Sequence, residues 1–148
     1  MTTFADFLFP ENIFLDLHAA NQLQAFAQIA ELLEREHQIN RTVIYESLCV
    51  REELCSTGLG QGVAIPHAQI AELPQPIAAF VRLARPIAFN APDELPVSEF
   101  FVLLLPARTT YVHLQILADV VGKLCDQNFR DKLTVAHHPL EIQACFKV

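Results

Sequence analysis

The sequence is poor in positive charge and contains no long hydrophobic run. Ten Lys and Arg stand against seventeen Asp and Glu, which gives a formal charge of −7. No basic run could neutralise a row of phosphates, so nucleic acid is not expected as a partner. The longest apolar stretch, 100–105, ends at Pro106. A membrane helix needs about 20 apolar residues, so membrane insertion is not expected either.

Signals for export and for disulfide formation are also missing. The first basic residue is Arg35, and Asp6 and Glu11 lie in the opening segment, so neither a secretory nor a transit peptide is predicted. We therefore expect a cytoplasmic protein. No Cys-x-x-Cys pair occurs, which favours reduced, mostly buried thiols. The four cysteines are Cys49, Cys55, Cys125 and Cys145.

Metal-ligand spacing is not found around the histidines. The sequence contains no HExxH string. Four of the six histidines are His18, His37, His137 and His138, and no carboxylate recurs at a fixed offset from them. We expect neither a metal site nor a cofactor.

The sequence is rich in apolar residues, and they recur both in short strand-like runs and with the period of a helix. Hydrophobic residues make up 52% of the chain and charged residues 18%, which excludes disorder and predicts one domain over 1–148. Short apolar runs alternate with segments of helical period, so the predicted class is α/β, a mixed α+β sheet flanked by helices. Strands are predicted over 13–17, 63–65, 77–83 and 97–105, and helices over 21–37, 42–54, 111–125, 129–136 and 139–146.

The periodicity also predicts which side chains face the core. In the first strand these are Ile13, Leu15 and Leu17, and the strand 97–105, apolar on both faces, is expected at the centre of the sheet. Asn40 is the expected cap of helix 42–54, whose Ile44 and Leu48 face inward, and Thr109 or Thr110 is the expected cap of helix 111–125. The predicted buried stripes of the first and third helices are Leu23, Phe26, Ile29, Ala30 and Leu33, and Val112, Ile116, Val120, Val121 and Leu124.

Three of the four glycines fall in one loop, at Gly58, Gly60 and Gly62. Their spacing fits neither the P-loop nor the dinucleotide fingerprint, and the loop precedes a strand where both motifs precede a helix. Two interpretations remain open. The loop could be an anion cradle of backbone N–H groups, or a helix stop with Gly58 as a left-handed cap.

His67 follows Pro66 at the end of the short strand after this loop. A fixed imidazole there could act as a nucleophile, although a solvated loop histidine is the commoner case. Arg51 could form a fork to phosphoryl oxygens or a surface salt bridge near Glu52 or Glu53. The hydroxyl groups of the residues before Gly58 could bind the same oxygens or local backbone, and His113 could be a second donor or a surface cap.

The string from Arg51 to His67, which contains Ser56-Thr57-Gly58 and Ile65-Pro66-His67, resembles the active-site signature of phosphotransferase-system EIIA proteins of the fructose/mannitol type. The resemblance covers nearly the whole chain. Within the family, the sequence is most similar to the nitrogen-related regulatory EIIA branch, because no EIIB, EIIC or HPr-like segment adjoins. The resemblance continues through Pro86-Ile87-Ala88-Phe89, Pro96-Val97 and His113-Leu114.

The resemblance implies a phosphohistidine carrier without a cofactor. His67 matches the phosphoacceptor, modified on Nε2 by an HPr-type or NPr-type carrier. Arg51 and His113 match the other catalytic side chains. The phosphoryl-binding loop corresponds to Ser56, Thr57 and Gly58.

Four positions depart from the family pattern. Ala68 stands where glycine usually follows the histidine, Gln69 where a basic residue is frequent, and Asp93-Glu94 where a turn glycine or asparagine is common. The missing positive charge at position 69 bears on the affinity for the donor.

Four functions are compatible with the sequence. The leading hypothesis is a regulator that contacts target proteins, such as a kinase or a transporter, according to its phosphorylation state. The alternative is a sugar-specific EIIA that passes the phosphoryl group to an EIIB. A thiol enzyme with Cys55 as nucleophile and His67 as base, and a binding module with an unused site, complete the set.

Overall fold

A six-stranded mixed sheet lies between two layers of helices in the computed structural model, which describes residues 3–71, 73–108 and 110–147. The strand order is β1-β5-β6-β3-β2, with β4 paired to β6. This confirms the predicted sheet flanked by helices. The strands are β1 (Ile13–Leu17), β2 (Gly58–Gly60), β3 (Val63–Ala64), β4 (His67–Ile70), β5 (Ile77–Ile87) and β6 (Val97–Pro106).

Each predicted helix is present with bounds shifted by at most a few residues. Asn40 caps the second helix by accepting the N–H of Thr42, as expected. Thr110 is the N-cap of the third, whereas Thr109 lies outside the described residues. None of the helices in the described ranges is long and apolar enough to span a bilayer. The helices are α1 (Gln22–His37), α2 (Arg41–Leu54), α3 (Tyr111–Leu124), α4 (Gln127–Val135) and α5 (Pro139–Phe146), preceded by 3₁₀ turns at Phe4–Phe7 and Pro10–Asn12.

Strand β6 is central, as its continuous apolar run predicts. It pairs parallel with β3 and β4 and antiparallel with β5. Its alternating side chains enter two separate cores: Phe100 and Val102 pack with α1 and α2, and Phe101 and Leu103 pack with α3, α4 and α5. A strand buried on both faces needs apolar residues at successive positions, which explains the unbroken run.

The predicted face of Leu17 is wrong. Ile13 and Leu15 pack with the α3 side of the sheet, but Leu17 packs with the α1 side. Asp16 adopts a left-handed backbone with φ of 58°, and the register against β5 shifts between Phe14 and Leu17. This irregularity breaks the strict alternation of a regular strand, so the side chain after it changes face.

The buried stripes are narrower than predicted. Leu23 is 55% exposed, Val112 42% and Val121 41%, whereas Ile116 and Val120 are buried. Val112 and Val121 lie beside the i, i+4 line of α3 that meets the sheet, so they remain at the surface.

The expectation of mostly buried thiols is also wrong. All four cysteines are free, but Cys55 and Cys125 are exposed and Cys49 and Cys145 are only partly buried. Cys55 and Cys125 are the C-caps of α2 and α3, and helix ends lie at the surface of this fold.

Asp93 and Glu94, which depart from the family pattern, lie in a strained turn. The carboxylate of Asp93 accepts the N–H of Gln61 at 2.7 Å and that of Leu95 at 3.1 Å, and these bonds hold the pKa of Asp93 below its usual range. Glu94 has a φ of 59°, in the region that glycine and asparagine tolerate best. This positive φ explains why glycine or asparagine is common in this turn.

We expect Glu94→Gly to raise the free energy of unfolding by about 0.5 kcal/mol. The substitution relieves about 1–2 kcal/mol of left-handed strain, and the added freedom of the unfolded chain offsets about 0.4–1 kcal/mol of it. Urea unfolding measures the change. Glu53→Gly, in the last turn of α2, is the control and should lower stability by up to about 1 kcal/mol. A loss of stability in Glu94→Gly would contradict the interpretation.

Candidate functional site

His67 is the first residue of β4, a strand that the sequence analysis did not predict. It pairs with Leu103 of β6, and the carbonyl of Pro66 accepts the N–H of Leu103 at 3.0 Å. Ile65 and Pro66 separate β3 from β4, although both strands run parallel to β6. The signal available in the sequence was the alternation of the apolar Ala68 and Ile70, both buried, but the preceding proline suggested that the strand had ended. His67 is therefore held by the pairing of β4 with the central strand β6 instead of lying in a mobile loop.

The glycine loop forms a short hairpin of β2 and β3. Gly60 and Gly62 have φ of 93° and 81°, which side-chain-bearing residues rarely adopt. Gly58 is not a left-handed helix cap, since Cys55 caps α2 in an extended conformation. Gly58 is required for another reason: a Cβ there would lie 2.9 Å from the Cβ of Ala91. The helix-stop interpretation of Gly58 is thus wrong.

Both ring nitrogens of His67 have assigned roles. Nδ1 lies 2.8 Å from the carbonyl oxygen of Ile65, which can only accept, so Nδ1 carries the hydrogen. Nε2 accepts a hydrogen bond from Nε of Arg51 at 3.2 Å. The ring is thus the neutral Nδ1–H tautomer, with the electron pair of Nε2 on the side of Arg51.

The surroundings of His67 favour this neutral form. Burial lowers the pKa of His67 below its usual range, the charge of Arg51 lowers it further, and the Ile65 carbonyl and the Glu52 charge oppose these effects. The net direction is downward, because the half-buried imidazolium loses water and gains no direct acidic partner. An unprotonated Nε2 is the form that can act as a nucleophile at neutral pH.

Titration of His67 by NMR should therefore give a midpoint below the ordinary histidine value of about 6.5. Arg51→Gln should move the midpoint upward, because a positive neighbour is removed. A folded pKa below the unfolded one means that the stabilising contribution of neutral His67 is complete above about pH 6.5 and is lost as the pH falls through the folded pKa. A midpoint above 6.5 in the native chain would contradict the assigned environment.

Arg51 is positioned by the C-terminal turn of α2. Its Nη1 donates to the carbonyl of Cys55 at 2.8 Å while its Nε reaches His67. Within the described ranges, these contacts take the place of the surface salt bridge to Glu52 or Glu53. The partner of His67 Nε2 is therefore Arg51, not the thiol of Cys55 that a cysteine nucleophile would require.

The three residues of the predicted phosphoryl-binding loop bond to the protein itself in this structure. The hydroxyl of Ser56 donates to the carbonyl of Phe89 and accepts the N–H of Gly58, each at 3.1 Å. Thr57, which is buried, donates its N–H and its hydroxyl to the carboxylate of Glu52 at 2.7 and 2.6 Å. The contact between Glu52 and Thr57 was not predicted from the sequence, in which Glu52 stands only as a possible partner of Arg51.

His113 lies in the first turn of α3 and is half-buried. Its Nδ1 accepts the N–H of Thr110 at 3.1 Å, so the neutral ring carries its hydrogen on Nε2 and can donate from there. No hydrogen bond joins His113 to His67 in the part of the chain that the structure describes. Leu114 and Leu117 of the same helix line a cleft together with His67.

An open cleft of about 620 Å³ lies beside His67. It runs between α2 and α3, and its wall is largely apolar, with Leu54 79% exposed and Leu114 54% exposed. Exposed apolar residues next to polar groups are typical of a surface that another protein covers. The apolar lining is Val50, Leu54, Ala68, Leu105, Leu114 and Leu117, and the polar lining is Glu46, Ser47, Arg51, His67 and Gln69.

Comparison with known proteins relates this site to a family. The family model described as "Phosphoenolpyruvate-dependent sugar phosphotransferase system, EIIA 2" matches residues 6–148. A "Nitrogen regulatory protein" of Pseudomonas aeruginosa is 36% identical over 130 residues, which cover 87% of this chain and 84% of that protein. A "PTS system fructose-specific EIIA component" of Haloferax volcanii is 36% identical over 104 residues, 70% of this chain and 68% of that protein.

A solved structure agrees with these relatives. The crystal structure of the nitrogen regulatory protein IIA-Ntr from Neisseria meningitidis superposes with a TM-score of 0.90 at 38% identity, over 96% of this chain and 97% of that one. The match therefore extends over almost the whole of both chains. As a phosphoryl-transfer component, the chain belongs to the EIIA 2 family of the phosphoenolpyruvate-dependent sugar phosphotransferase system.

Proposed function

We propose that this protein is a cytoplasmic phosphohistidine carrier that accepts a phosphoryl group on Nε2 of His67 and regulates target proteins according to its phosphorylation state. The observation that carries the proposal is the His67 ring itself. Its Nδ1–H is bonded to the Ile65 carbonyl, and its Nε2 electron pair lies beside the guanidinium of Arg51. The open apolar cleft next to the ring is suited to a protein donor.

The transfer itself needs positioning and charge stabilisation. The electron pair of His67 Nε2 forms a bond to the phosphorus of a phosphorylated HPr-type carrier, the P–N bond on the carrier breaks, and its electron pair returns to the carrier's imidazole. Arg51 offers a positive charge to the phosphoryl oxygens, and His113 can donate from Nε2. Ser56, Thr57 and Gly58 would complete the phosphoryl-binding loop. The Ile65 carbonyl stabilises the Nδ1–H of the product.

Regulation is favoured over sugar transport by the pattern of similarity. Relatives named nitrogen regulatory proteins match at 32–36% identity over most of the chain. The fructose-specific relative matches a smaller share, 70%. Phosphorylation adds about two negative charges beside an apolar cleft, which changes its affinity for any partner surface. The fructose-specific relative nevertheless keeps transfer to an EIIB as the second candidate.

The experiment is incubation with phosphoenolpyruvate, enzyme I and an HPr-type carrier, followed by intact mass measurement. We expect the chain to gain one acid-labile phosphoryl group. The phosphorylated chain is then mixed with a fructose-type or a mannitol-type EIIB. Retention of the phosphoryl group supports regulation, and rapid transfer supports the sugar-specific alternative. No gain with an active carrier would overturn the carrier proposal and leave a binding module.

A further inference from the structure

We infer that Glu52 is a positioning residue that fixes the tautomer and orientation of the phosphoacceptor His67 through Thr57 and Ile65. The inference rests on the proposed function for its effect on transfer, but its effect on the imidazole is independent of that function. Nothing in the family resemblance assigns a role to this carboxylate, which acts from the last turn of α2 on the loop that precedes β2.

The first step is the contact between Glu52 and Thr57. One carboxylate oxygen of Glu52 accepts the Thr57 N–H at 2.7 Å, and the other accepts the Thr57 hydroxyl at 2.6 Å. Thr57 is 4% exposed, one of only two buried polar residues in the described part of the chain. Two buried donors on one carboxylate fix both the backbone and the side chain of Thr57, because a buried donor left without an acceptor destabilises the fold.

The second step continues from Thr57 to the imidazole. The carbonyl of Thr57 accepts the N–H of Ile65 at 3.0 Å. The carbonyl of Ile65 in turn accepts Nδ1–H of His67 at 2.8 Å. A displacement of Thr57 is therefore transmitted to Ile65, whose carbonyl selects the tautomer of His67.

The third step concerns the other ring nitrogen. Arg51, the residue before Glu52, donates to Nε2 of His67. The last turn of α2 thus controls both nitrogens of the ring, Nε2 directly through Arg51 and Nδ1 through Glu52, Thr57 and Ile65. A ring held at both nitrogens presents the electron pair of Nε2 in one direction, which is what in-line attack on phosphorus requires.

The test compares Glu52→Ala with the control Glu53→Ala. Glu53 is the adjacent residue, has the same charge and is exposed. The tautomer of His67 is read from the ¹⁵N shifts of Nδ1 and Nε2 well below the melting temperature, and the initial rate of phosphorylation is measured in the same preparations. We expect one Nδ1–H tautomer in the native chain and in Glu53→Ala. In Glu52→Ala we expect a mixture of both tautomers and a rate lower by about 10- to 100-fold.

Substitution of Thr57 provides the rescue experiment. Because Thr57 belongs to the proposed phosphoryl-binding loop, its variants are compared by the tautomer of His67 alone. Thr57→Ser keeps the N–H and the hydroxyl that bond to Glu52, so the single Nδ1–H tautomer should remain. Thr57→Val keeps the shape but loses the hydroxyl donor, and should give the same mixture of tautomers as Glu52→Ala. Agreement between the two series separates positioning from a general loss of stability.

Three outcomes are possible besides the expected one. A single Nδ1–H tautomer in folded Glu52→Ala overturns the inference, whether or not the melting temperature falls. A mixed tautomer with a native phosphorylation rate overturns the role in transfer. A mixed tautomer in a protein whose native chain is never phosphorylated supports the positioning of His67 and rejects the proposed function, so the two failures are distinguishable.

Discussion

His67→Asn is expected to abolish phosphorylation by the HPr-type carrier and to leave the fold intact. The asparagine amide can place an N–H near the Ile65 carbonyl, where Nδ1–H of His67 now lies at 2.8 Å. It has no counterpart of Nε2, so the electron pair that would attack phosphorus is removed. Intact mass measurement should show no acid-labile phosphoryl group under conditions that fully modify the native chain.

A second histidine provides the control for this experiment. His137 is exposed and lies in the connection between α4 and α5, away from β4. His137→Asn should be phosphorylated at the native rate. Phosphorylation of His67→Asn at the native rate would show that another residue, with His113 first among the candidates, is the acceptor.

Arg82→Met is expected to lower the free energy of unfolding by about 3 kcal/mol. Arg82 of β5 donates to the carbonyls of Leu133 and Ala136, each at 2.6 Å, at the C-terminal end of α4. It also forms a salt bridge of 2.8 Å with Glu99 of β6, and the two side chains are only 15% and 19% exposed. Methionine removes Arg82 as the partner of the Glu99 charge and of both carbonyls, of which the Leu133 carbonyl keeps the N–H of Ala136. Breaking one side of a buried pair costs about 3–5 kcal/mol, and the lower end applies to this largely buried pair. Urea unfolding measures the loss.

Two further variants distinguish the stability contributed by the Arg82–Glu99 pair from the effect of removing any arginine charge. Arg82→Met combined with Glu99→Leu should recover part of the loss, since the unpaired carboxylate is removed. Arg35→Met removes an exposed arginine that lies 4.0 Å from Glu31 and should change stability by less than about 1 kcal/mol. A loss below 1 kcal/mol in Arg82→Met would contradict the role assigned to Arg82. Phosphorylation of folded Arg82→Met should remain native, because Arg82 lies outside the His67 cleft.

The predictable part of the fold is the part governed by local periodicity. The strand 97–105 could be placed at the centre because only a strand buried on both faces needs an unbroken apolar run, and Asn40 and Pro139 mark helix starts by their own chemistry. The face of Leu17 could not be predicted, because the left-handed conformation of Asp16 depends on pairing with β5. Tertiary pairing also produces β4, which is only four residues long.

The candidate site also has one part that the sequence could predict and one part that it could not. His67 and Arg51 were identifiable from the string that contains them, and the structure brings them together through Nε2. The contact between Glu52 and Thr57 was not identifiable, because one acidic residue in Arg51-Glu52-Glu53 resembles the other in sequence and only the path of the chain after Cys55 distinguishes them. The order of the residues indicates the chemistry, whereas the arrangement of the loop indicates how the ring is held.

The hydrogen bond from Arg51 to His67 and the proposed phosphorylation of His67 require the same atom. Nε2 has a single electron pair, and that pair cannot accept Nε–H of Arg51 and bond to phosphorus at the same time. Nη1 of Arg51 donates to the Cys55 carbonyl, which holds the guanidinium at the end of α2. In the proposed carrier, phosphorylation of His67 would break the bond from Nε of Arg51 beside the exposed Leu54. A target protein that distinguishes the two states would need to contact only this end of α2.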